Sequence, residues 1–193
     1  MTMHTKGRPV LLTSKRFALR SLKPADASER WMRWLQDPEV MGPLNAPIRK
    51  WTAQELMAHI GSADNNNRYL IGLFDLASKL QIGFYMVDVD QFHRRATFNV
   101  VIGDRSWWGK SVVNETRAAL LDEFFNNRGV EKASGTPLAR NFPAVFNYKA
   151  QGWRHEGTFR RQCLSVTDGS RLDQYQFGLT KDEWRAMRLE DAQ

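Results

Sequence analysis

The chain has 193 residues, of which 42% are hydrophobic, enough for one ordinary globular domain with its own core. A single cysteine, Cys163, excludes an internal disulfide framework and a multi-cysteine zinc site. The net charge of +7 favours an anionic partner, but the basic residues form no run of five, which disfavours nucleic acid.

The first ten residues are polar and lack the long apolar run that a signal peptide requires. No segment elsewhere approaches the apolar length that crosses a bilayer. We therefore expect a cytoplasmic protein without a membrane partner. We also expect residues 1–193 to form a single domain in which residues 1–14 are flexible.

The first half of the chain predicts a strand, two helices and three further strands. Alternating apolar and basic residues indicate a strand over 16–22, and the turn after it precedes a helix over 27–35. Asp37, followed by a proline, ends that helix, and a capping box at Thr52 begins a second one that reaches residue 60. The three strands are predicted over 69–74, 80–89 and 97–102.

The second half predicts a crossover. A helix over 112–127 separates the strand at 97–102 from one at 132–138, so these two strands are expected to be parallel, whereas the strands joined by short turns are antiparallel. Pro137 cannot donate to a ladder, so the far half of the strand at 132–138 should leave its neighbour and open a gap. The remaining elements are a helix over 142–151, strands over 154–166 and 172–179, and a terminal helix from about 180.

Helix 112–127 has an apolar stripe that includes Val113, Leu120 and Phe124, whereas Arg117 is expected on a more polar side. Together the elements predict an α/β domain. Its sheet is mixed and mostly antiparallel, with one parallel, splayed strand pair and helices on the flanks.

The loop before this helix places Gly109 and Lys110 where the helix begins. The first N–H groups of a helix have no internal partner and lie at the positive end of its dipole, so a pyrophosphate can bind there. The glycine pair of a P-loop is missing. A glycine that only turns the chain, beside a solvated lysine, is the alternative interpretation.

Several ordered motifs resemble the GNAT acetyltransferase superfamily over nearly the whole chain, and most closely its Rim-like branch of ribosomal-protein N-terminal and amino-sugar-nucleotide acetyltransferases. In the acyl-CoA loop, the family pattern Q/R-x-x-G-x-G/A is occupied by Ser106, Gly109 and Ser111, so two of its three positions differ. A serine at the last position still offers a free N–H and a small side chain. The matching segments are 109–115, Asn141 with 148–153, 156–160 and 179–184.

The resemblance implies a GNAT-like domain that binds acetyl-CoA as co-substrate and needs no metal. Strand residues would pair with the pantetheine amides, loop residues would hold the pyrophosphate, and Asn141 would reach the pantetheine arm. A helix cap is the alternative role of Asn141. The implied cofactor-binding residues are Val100, Val101, Ile102, Trp108, Gly109, Lys110, Ser111, Val112, Val113, Asn141 and Phe146.

The resemblance also implies that Tyr148 acts as the general acid that protonates the departing thiolate. A packed aromatic is the alternative. A free phenol titrates near pH ~10 and a thiol near ~8.5, so Tyr148 would act mainly as a hydrogen-bond donor unless the site shifts these values. The sequence singles out no general base among the candidates Asp88, Asp90, His93 and Glu115.

The function implied is an acetyl-CoA-dependent N-acetyltransferase that transfers the acyl group directly to a primary amine. The acceptor is a protein N-terminus, an amino-sugar nucleotide or another small amine, and the basic charge suits the polyanionic nucleotide somewhat better. The alternative is a non-catalytic acyl-CoA-binding or regulatory module, and a nucleic-acid-binding protein is less favoured. The sequence leaves a homodimer open.

Overall fold

The computed structural model describes residues 6–190. One eight-stranded sheet runs through it, in the order β1-β2-β3-β4-β5-β6-β8-β7. The strands are β1 Leu11–Thr13, β2 Phe17–Ser21, β3 Arg68–Asp75, β4 Gln81–Asp90, β5 Arg95–Ile102, β6 Lys132–Gly135, β7 Arg154–Leu164 and β8 Arg171–Thr180. All neighbours are antiparallel except β5 and β6. The predicted mixed sheet with one parallel pair is confirmed.

Six α-helices flank the sheet: α1 Glu29–Gln36, α2 Pro38–Met41, α3 Ala53–Gly61, α4 Val112–Asn127, α5 Phe142–Ala150 and α6 Lys181–Glu190. Short 3-10 helices span Pro24–Asp26, Gly42–Leu44 and Arg105–Trp107. Helix α2 is not predicted from the sequence. The side chain of Asp37 caps α2 by accepting from the N–H of Glu39, and Pro38 is tolerated in the first turn. Within residues 6–190, none of the helices has the length and apolar character of a membrane span.

Part of the N-terminal segment that the sequence predicts to be flexible forms a strand in the structure. Leu11–Thr13 forms the edge strand β1, which pairs with Ala18–Arg20 of β2. Val10 is buried, and its N–H donates to the hydroxyl of Ser21 at 2.9 Å. A strand of three residues is too short to show the alternation that predicts a strand from sequence. Strand β1 is ordered by its pairing with β2. Residues 1–5 of the expected flexible segment lie outside the described residues.

Both faces of the sheet bury apolar side chains. One core lies on the side of α4, α5 and α6 and includes Phe98, Phe124 and Trp184. The other lies on the side of α1 and α3 and includes Trp31 and Val101. Successive side chains of a strand alternate between faces, so β5 sends Phe98 to one core and Val101 to the other. Strand β5 is therefore fixed from both sides.

The parallel strands β5 and β6 pair only at their beginnings. Their last paired residues are Thr97 and Ser134, whose hydroxyls lie 3.1 Å apart. Beyond this point the chain turns towards β8, where the carbonyl of Pro137 accepts from the N–H of Tyr175 at 3.0 Å. The two strands then diverge, which confirms the predicted gap. We call this point the fork.

Strand β7 forms the far edge of the sheet and is irregular. Its pairing with β8 shifts register between His155 and Gly157, and again between Phe159 and Cys163. In the second irregularity Arg161 has a left-handed backbone, with φ of 54°, and its N–H donates to the carboxylate of Asp173 at 2.6 Å. The outer edge of the sheet is thus interrupted twice.

Candidate active site

A cleft of about 430 Å³ opens at the fork. Its walls come from β5, the loop after β5, the first turns of α4 and α5, and the segment from Glu39 to Leu44. All eleven residues that the sequence predicts to hold acyl-CoA line this cleft. The topology brings them together because β5, α4 and α5 meet where β6 turns away. Their role in binding stays a prediction.

The exposed side of β5 provides one wall. The hydroxyl of Tyr148 donates to the carbonyl of Phe98 at 3.2 Å, just past the last residue of β5 that pairs with β6. Backbone groups of alternate strand residues point the same way, so those of Val100 also face the gap. The carbonyl of Ile102 accepts from the indole N–H of Trp108 at 2.8 Å. The strand therefore presents backbone polar groups along the cleft.

The start of α4 forms another part of the wall of the cleft. Gly109 and Ser111 both have left-handed backbones, with φ of 72° and 56°, and no side chain caps the first turn of α4. The N–H groups of this turn are therefore free to meet an anion. Ser106 does not line the cleft; its hydroxyl and N–H both donate to Asp104, at 2.7 and 3.1 Å, and so close the turn before Trp107.

Lys110 is exposed at the rim of the cleft. Its ammonium lies 5.4 Å from the ring centre of Trp107, and its carbonyl accepts from the guanidinium of Arg16 at 2.8 Å. The Lys110 side chain adds positive charge beside the free N–H groups of α4. The site is thus suited to a polyanion.

None of the four candidate bases lines the cleft. Glu115 anchors α4 to β2, because its carboxylate accepts from the Ser14 hydroxyl at 2.7 Å and from the backbone and side chain of Arg16 at 2.7 and 2.8 Å. Burial raises the pKa of Glu115, but these hydrogen bonds outweigh it and hold its pKa below its ordinary value. Such a carboxylate is a poor base. Asp88, Asp90 and His93 lie on β4 and its turn into β5.

Tyr148 does not itself line the cleft, but it lies next to Arg117, which does, with the central guanidinium carbon 4.3 Å from the ring centre of Tyr148. The residue is 5% exposed, and its ring stacks on Phe177 at 5.0 Å between centres. Burial raises the pKa of the phenol, and the positive charge of Arg117 opposes that rise. The packed aromatic is therefore observed, while the role as general acid stays a prediction.

Arg117 lies in the core and not on the polar side of α4 that the sequence predicts. It is expected on the polar side of α4, yet it is 1% exposed and lines the cleft. The signal is in the spacing: Arg117 lies four residues after Val113 and three before Leu120, so it falls on the apolar stripe itself. The charge of the side chain indicates a polar side of α4, whereas its position indicates the buried side, and the position prevails.

Asn141 forms the helix cap given as its alternative role. Its side-chain oxygen accepts from the N–H of Ala144 at 3.2 Å, and its amide nitrogen donates to the carbonyl of Pro43 at 3.0 Å. Asn45 lies two residues after Pro43 and binds the turn between β7 and β8. Its amide nitrogen donates to the carbonyl of Leu164, and its side-chain oxygen accepts from the N–H of Val166. The pantetheine contact of Asn141 stays a prediction. These hydrogen bonds tie the segment after α2 to both α5 and the hairpin.

Among residues 6–190 no group of three histidine, cysteine or carboxylate side chains is arranged to hold a metal ion. The polar groups of the cleft are backbone amides, two cations and amides of side chains, with the carboxylate of Glu39 ion-paired to Arg105 at the rim. This donor set matches phosphates and amides.

Several solved structures with the same fold are described as acetyltransferases. The GNAT-family acetyltransferase from Bacillus anthracis matches with a TM-score of 0.77 at 15% identity, covering 90% of this chain and 100% of that one. Spermidine N-acetyltransferase from Vibrio cholerae, solved with CoA and spermine, has a TM-score of 0.78 at 19% identity, with 88% and 98% covered. Ribosomal-protein-S5-alanine acetyltransferase from Vibrio fischeri has a TM-score of 0.76 at 17% identity, with 91% and 98% covered.

A sequence comparison with curated proteins finds no match. A family model described as an acetyltransferase (GNAT) domain matches residues 16–152, which include β5, α4 and α5 and therefore the whole cleft at the fork. Because that match covers more than half of the chain, the protein belongs to the GNAT acetyltransferase family.

Proposed function

We propose that this protein transfers an acetyl group from acetyl-CoA directly to a primary amine. One observation carries the proposal: residues that the family motif marks on a strand, a loop and two helices all line a single cleft at the fork. A non-catalytic acyl-CoA-binding module is the alternative, and it would use the same cleft.

In this proposal the pyrophosphate binds the free N–H groups at the start of α4, with Lys110 as a second source of positive charge. The pantetheine arm follows β5 and exchanges hydrogen bonds with the backbone of Val100 and Ile102. Trp108 and Phe146 cover the arm with apolar surface, since both are exposed at the cleft. The thioester then lies towards the fork.

The chemistry is a direct displacement. The neutral amine attacks the thioester carbon, the C–N bond forms, and the C–S bond breaks. The sulfur takes a proton from the Tyr148 hydroxyl, and the phenolate regains one from the nitrogen of the product. For this the hydroxyl must exchange its hydrogen bond with the carbonyl of Phe98 for one with the sulfur. Full proton transfer between unperturbed groups is uphill by roughly 2 kcal/mol.

We propose an amino-sugar nucleotide or a protein N-terminus as acceptor, which are the substrates of the Rim-like branch, with another small amine as a third class. The net charge of +7 supports the nucleotide, which is a polyanion. Two of the three neighbours reported above carry names that refer to unlike amines, spermidine and a ribosomal-protein alanine, so the shared fold does not select among acceptors.

A CoA-release assay over a panel of amines tests the function. The panel contains peptides with free N-termini, polyamines, aminoglycosides and nucleotide amino sugars. We expect turnover with one class, and we expect Tyr148→Phe to lower that turnover with little change in acetyl-CoA affinity. Tight acetyl-CoA binding without turnover on any member would favour the non-catalytic module. Affinity for DNA or RNA that persists at saturating CoA and falls steeply with salt would favour a nucleic-acid-binding protein.

We further propose a cytoplasmic location, and the homodimer is kept as an alternative to a monomer. Light scattering during size-exclusion chromatography measures the oligomeric state. Fractionation of cells that express the full chain measures its location.

A further inference from the structure

Arg117 is a buried cation in the middle of α4. Its side chain is 1% exposed, and within residues 6–190 it belongs to none of the twelve ion pairs. One terminal nitrogen donates to the side-chain oxygen of Gln151 at 3.0 Å, and Nε has no acceptor among the described residues. Burying a charge without an opposite charge is unfavourable, so this position needs another source of compensation.

Aromatic rings supply part of that compensation. The central carbon of the guanidinium lies 4.3 Å from the ring centre of Tyr148 and 5.6 Å from that of Trp153. The Tyr148 ring also stacks on that of Phe177, which is nearly parallel to it at 7°. A cation over an aromatic face is attracted by the ring, and more strongly when both are out of water. Arg117 therefore fixes the face of Tyr148 that points to α4.

We propose that Arg117 is a positioning residue for the transfer reaction, which holds the Tyr148 ring in place and stabilises the phenolate that forms when its hydroxyl protonates the departing sulfur. The inference rests on the proposed function. In that step the O–H bond of the phenol breaks and an S–H bond forms. The negative charge moves from sulfur to the phenol oxygen, and the guanidinium on the same ring lowers the free energy of that state.

Within residues 6–190, Arg117 is the one cation that lies over the ring of Tyr148. From β4, Tyr85 is a neighbouring phenol, and its hydroxyl bonds that of Thr116 at 3.1 Å. From β7 and β8, His155 and Tyr175 reach Phe177, the next ring of the stack. Strands β5 and β6 meet the phenol with the backbone of Phe98 and Gly135. Burial raises the pKa of Tyr148 and Arg117 opposes it, so loss of Arg117 should raise that pKa further.

The direct test places 3,5-difluorotyrosine at position 148 and follows its fluorine resonance with pH. Fluorination brings the ionisation to lower pH, and the resonance reports this phenol alone. We expect Arg117→Met to raise the titration midpoint by about one pH unit or more, and Arg117→Lys to leave it within about half a unit, since a charge nearby favours the ionised form. An unchanged midpoint in Arg117→Met would overturn the proposal.

Steady-state kinetics provide the second experiment. We expect Arg117→Met to lower kcat about tenfold, in proportion to the shift in pKa, with acetyl-CoA affinity changed by less than about threefold. Gln151→Leu removes the hydrogen bond of Arg117 but keeps its charge, and Arg185→Met removes an exposed arginine of α6; both should keep the wild-type midpoint. Equal effects of Gln151→Leu and Arg117→Met would show that Arg117 only joins α4 to α5.

The two experiments also separate this inference from the proposed function. The fluorine titration needs no acceptor, so its result for Arg117 holds whatever the amine panel shows. A wild-type protein that turns over no amine would contradict the proposed function. If Arg117→Met does not fold, Arg117→Gln gives the same comparison, because it also removes the charge.

Discussion

Gly135 lies directly against the hydroxyl of Tyr148, and a Cβ built on the glycine would overlap the phenol oxygen and the ring carbons next to it. The same hydroxyl donates to the carbonyl of Phe98. The phenol therefore fills the space between β6 and β5 at the fork. The backbones of both strands set its position, and a side chain on β6 would displace it.

We predict that Gly135→Ala destabilises the fold and lowers turnover together. Overpacking a filled site costs about 1–3 kcal/mol, and the ring can only leave by breaking its hydrogen bond to Phe98. Urea unfolding measures the first effect and the CoA-release assay the second. Gly157→Ala is the control, because a Cβ at that glycine meets nothing within 4 Å. Wild-type stability in Gly135→Ala would contradict this account of the fork.

Gly109→Ala and Gly109→Asp separate backbone strain from charge at the start of α4. Gly109 has a φ of 72° with open space around its Cα, so alanine adds only the strain of a left-handed residue, about 1 kcal/mol. Aspartate adds no more strain than alanine, because its side chain tolerates the left-handed region better, but it adds a negative charge where a pyrophosphate would bind. We expect the CoA dissociation constant, measured by calorimetry, to rise at least about tenfold more for aspartate than for alanine. Equal affinities of the two variants would count against a phosphate site here.

The Glu115 anchor predicts a loss of stability in acid. The folded-state pKa of Glu115 is lowered from its ordinary value of 4.5, so its contacts stabilise the fold above that pH and are lost as the pH falls through the folded pKa. We expect Glu115→Gln to cost about 1 kcal/mol at pH 7, a modest value because Arg16 is partly exposed. The difference from wild type should shrink below about pH 4.

Unfolding curves at a series of pH values measure this. Glu190→Gln, an exposed change at the end of α6, serves as the matched control and should follow the wild type throughout. A constant difference between Glu115→Gln and wild type from pH 7 to 3 would mean that the carboxylate charge does not contribute.

Asn141 makes two bonds that two substitutions can separate. Asn141→Asp keeps an oxygen to cap α5 but loses the donor to Pro43, whereas Asn141→Ala loses both. We expect the alanine variant to be less stable than the aspartate variant by about 1 kcal/mol, the usual contribution of a cap. If both variants lose the same stability in thermal unfolding, the bond to Pro43 outweighs the cap.

The sequence determines much of the fold because its signals are local. The bounds of α4 follow from its periodicity and agree with the structure at both Val112 and Asn127. The helix between β5 and β6 requires a parallel pair, and Pro137 lies just beyond the last paired residue of β6, Ser134. The cleft at the fork is accessible to the same reasoning, since the motif residues that line it lie at the ends of these elements.

What the sequence does not reveal depends on contacts between distant segments. Strand β1 is ordered by its pairing with β2, and three residues are too few to show a pattern that predicts a strand. The hydrogen bond from Asn141 to Pro43 joins two segments that lie 98 residues apart, so no local sequence pattern predicts it. Arg117 shows a third reason: a charge on an apolar stripe is compensated by the rings of Tyr148 and Trp153, which come from elsewhere in the chain.

The two interruptions of β7 bear on how this protein meets copies of itself. A regular outer strand offers a row of free backbone groups that a strand of another molecule can extend. A strand from a second molecule would lose its register with β7 at His155 and again near Arg161. It would also face the exposed cations of Arg160 and Arg161. Part of the positive charge of the chain therefore lies where it opposes aggregation through the sheet edge, whatever anion the cleft receives.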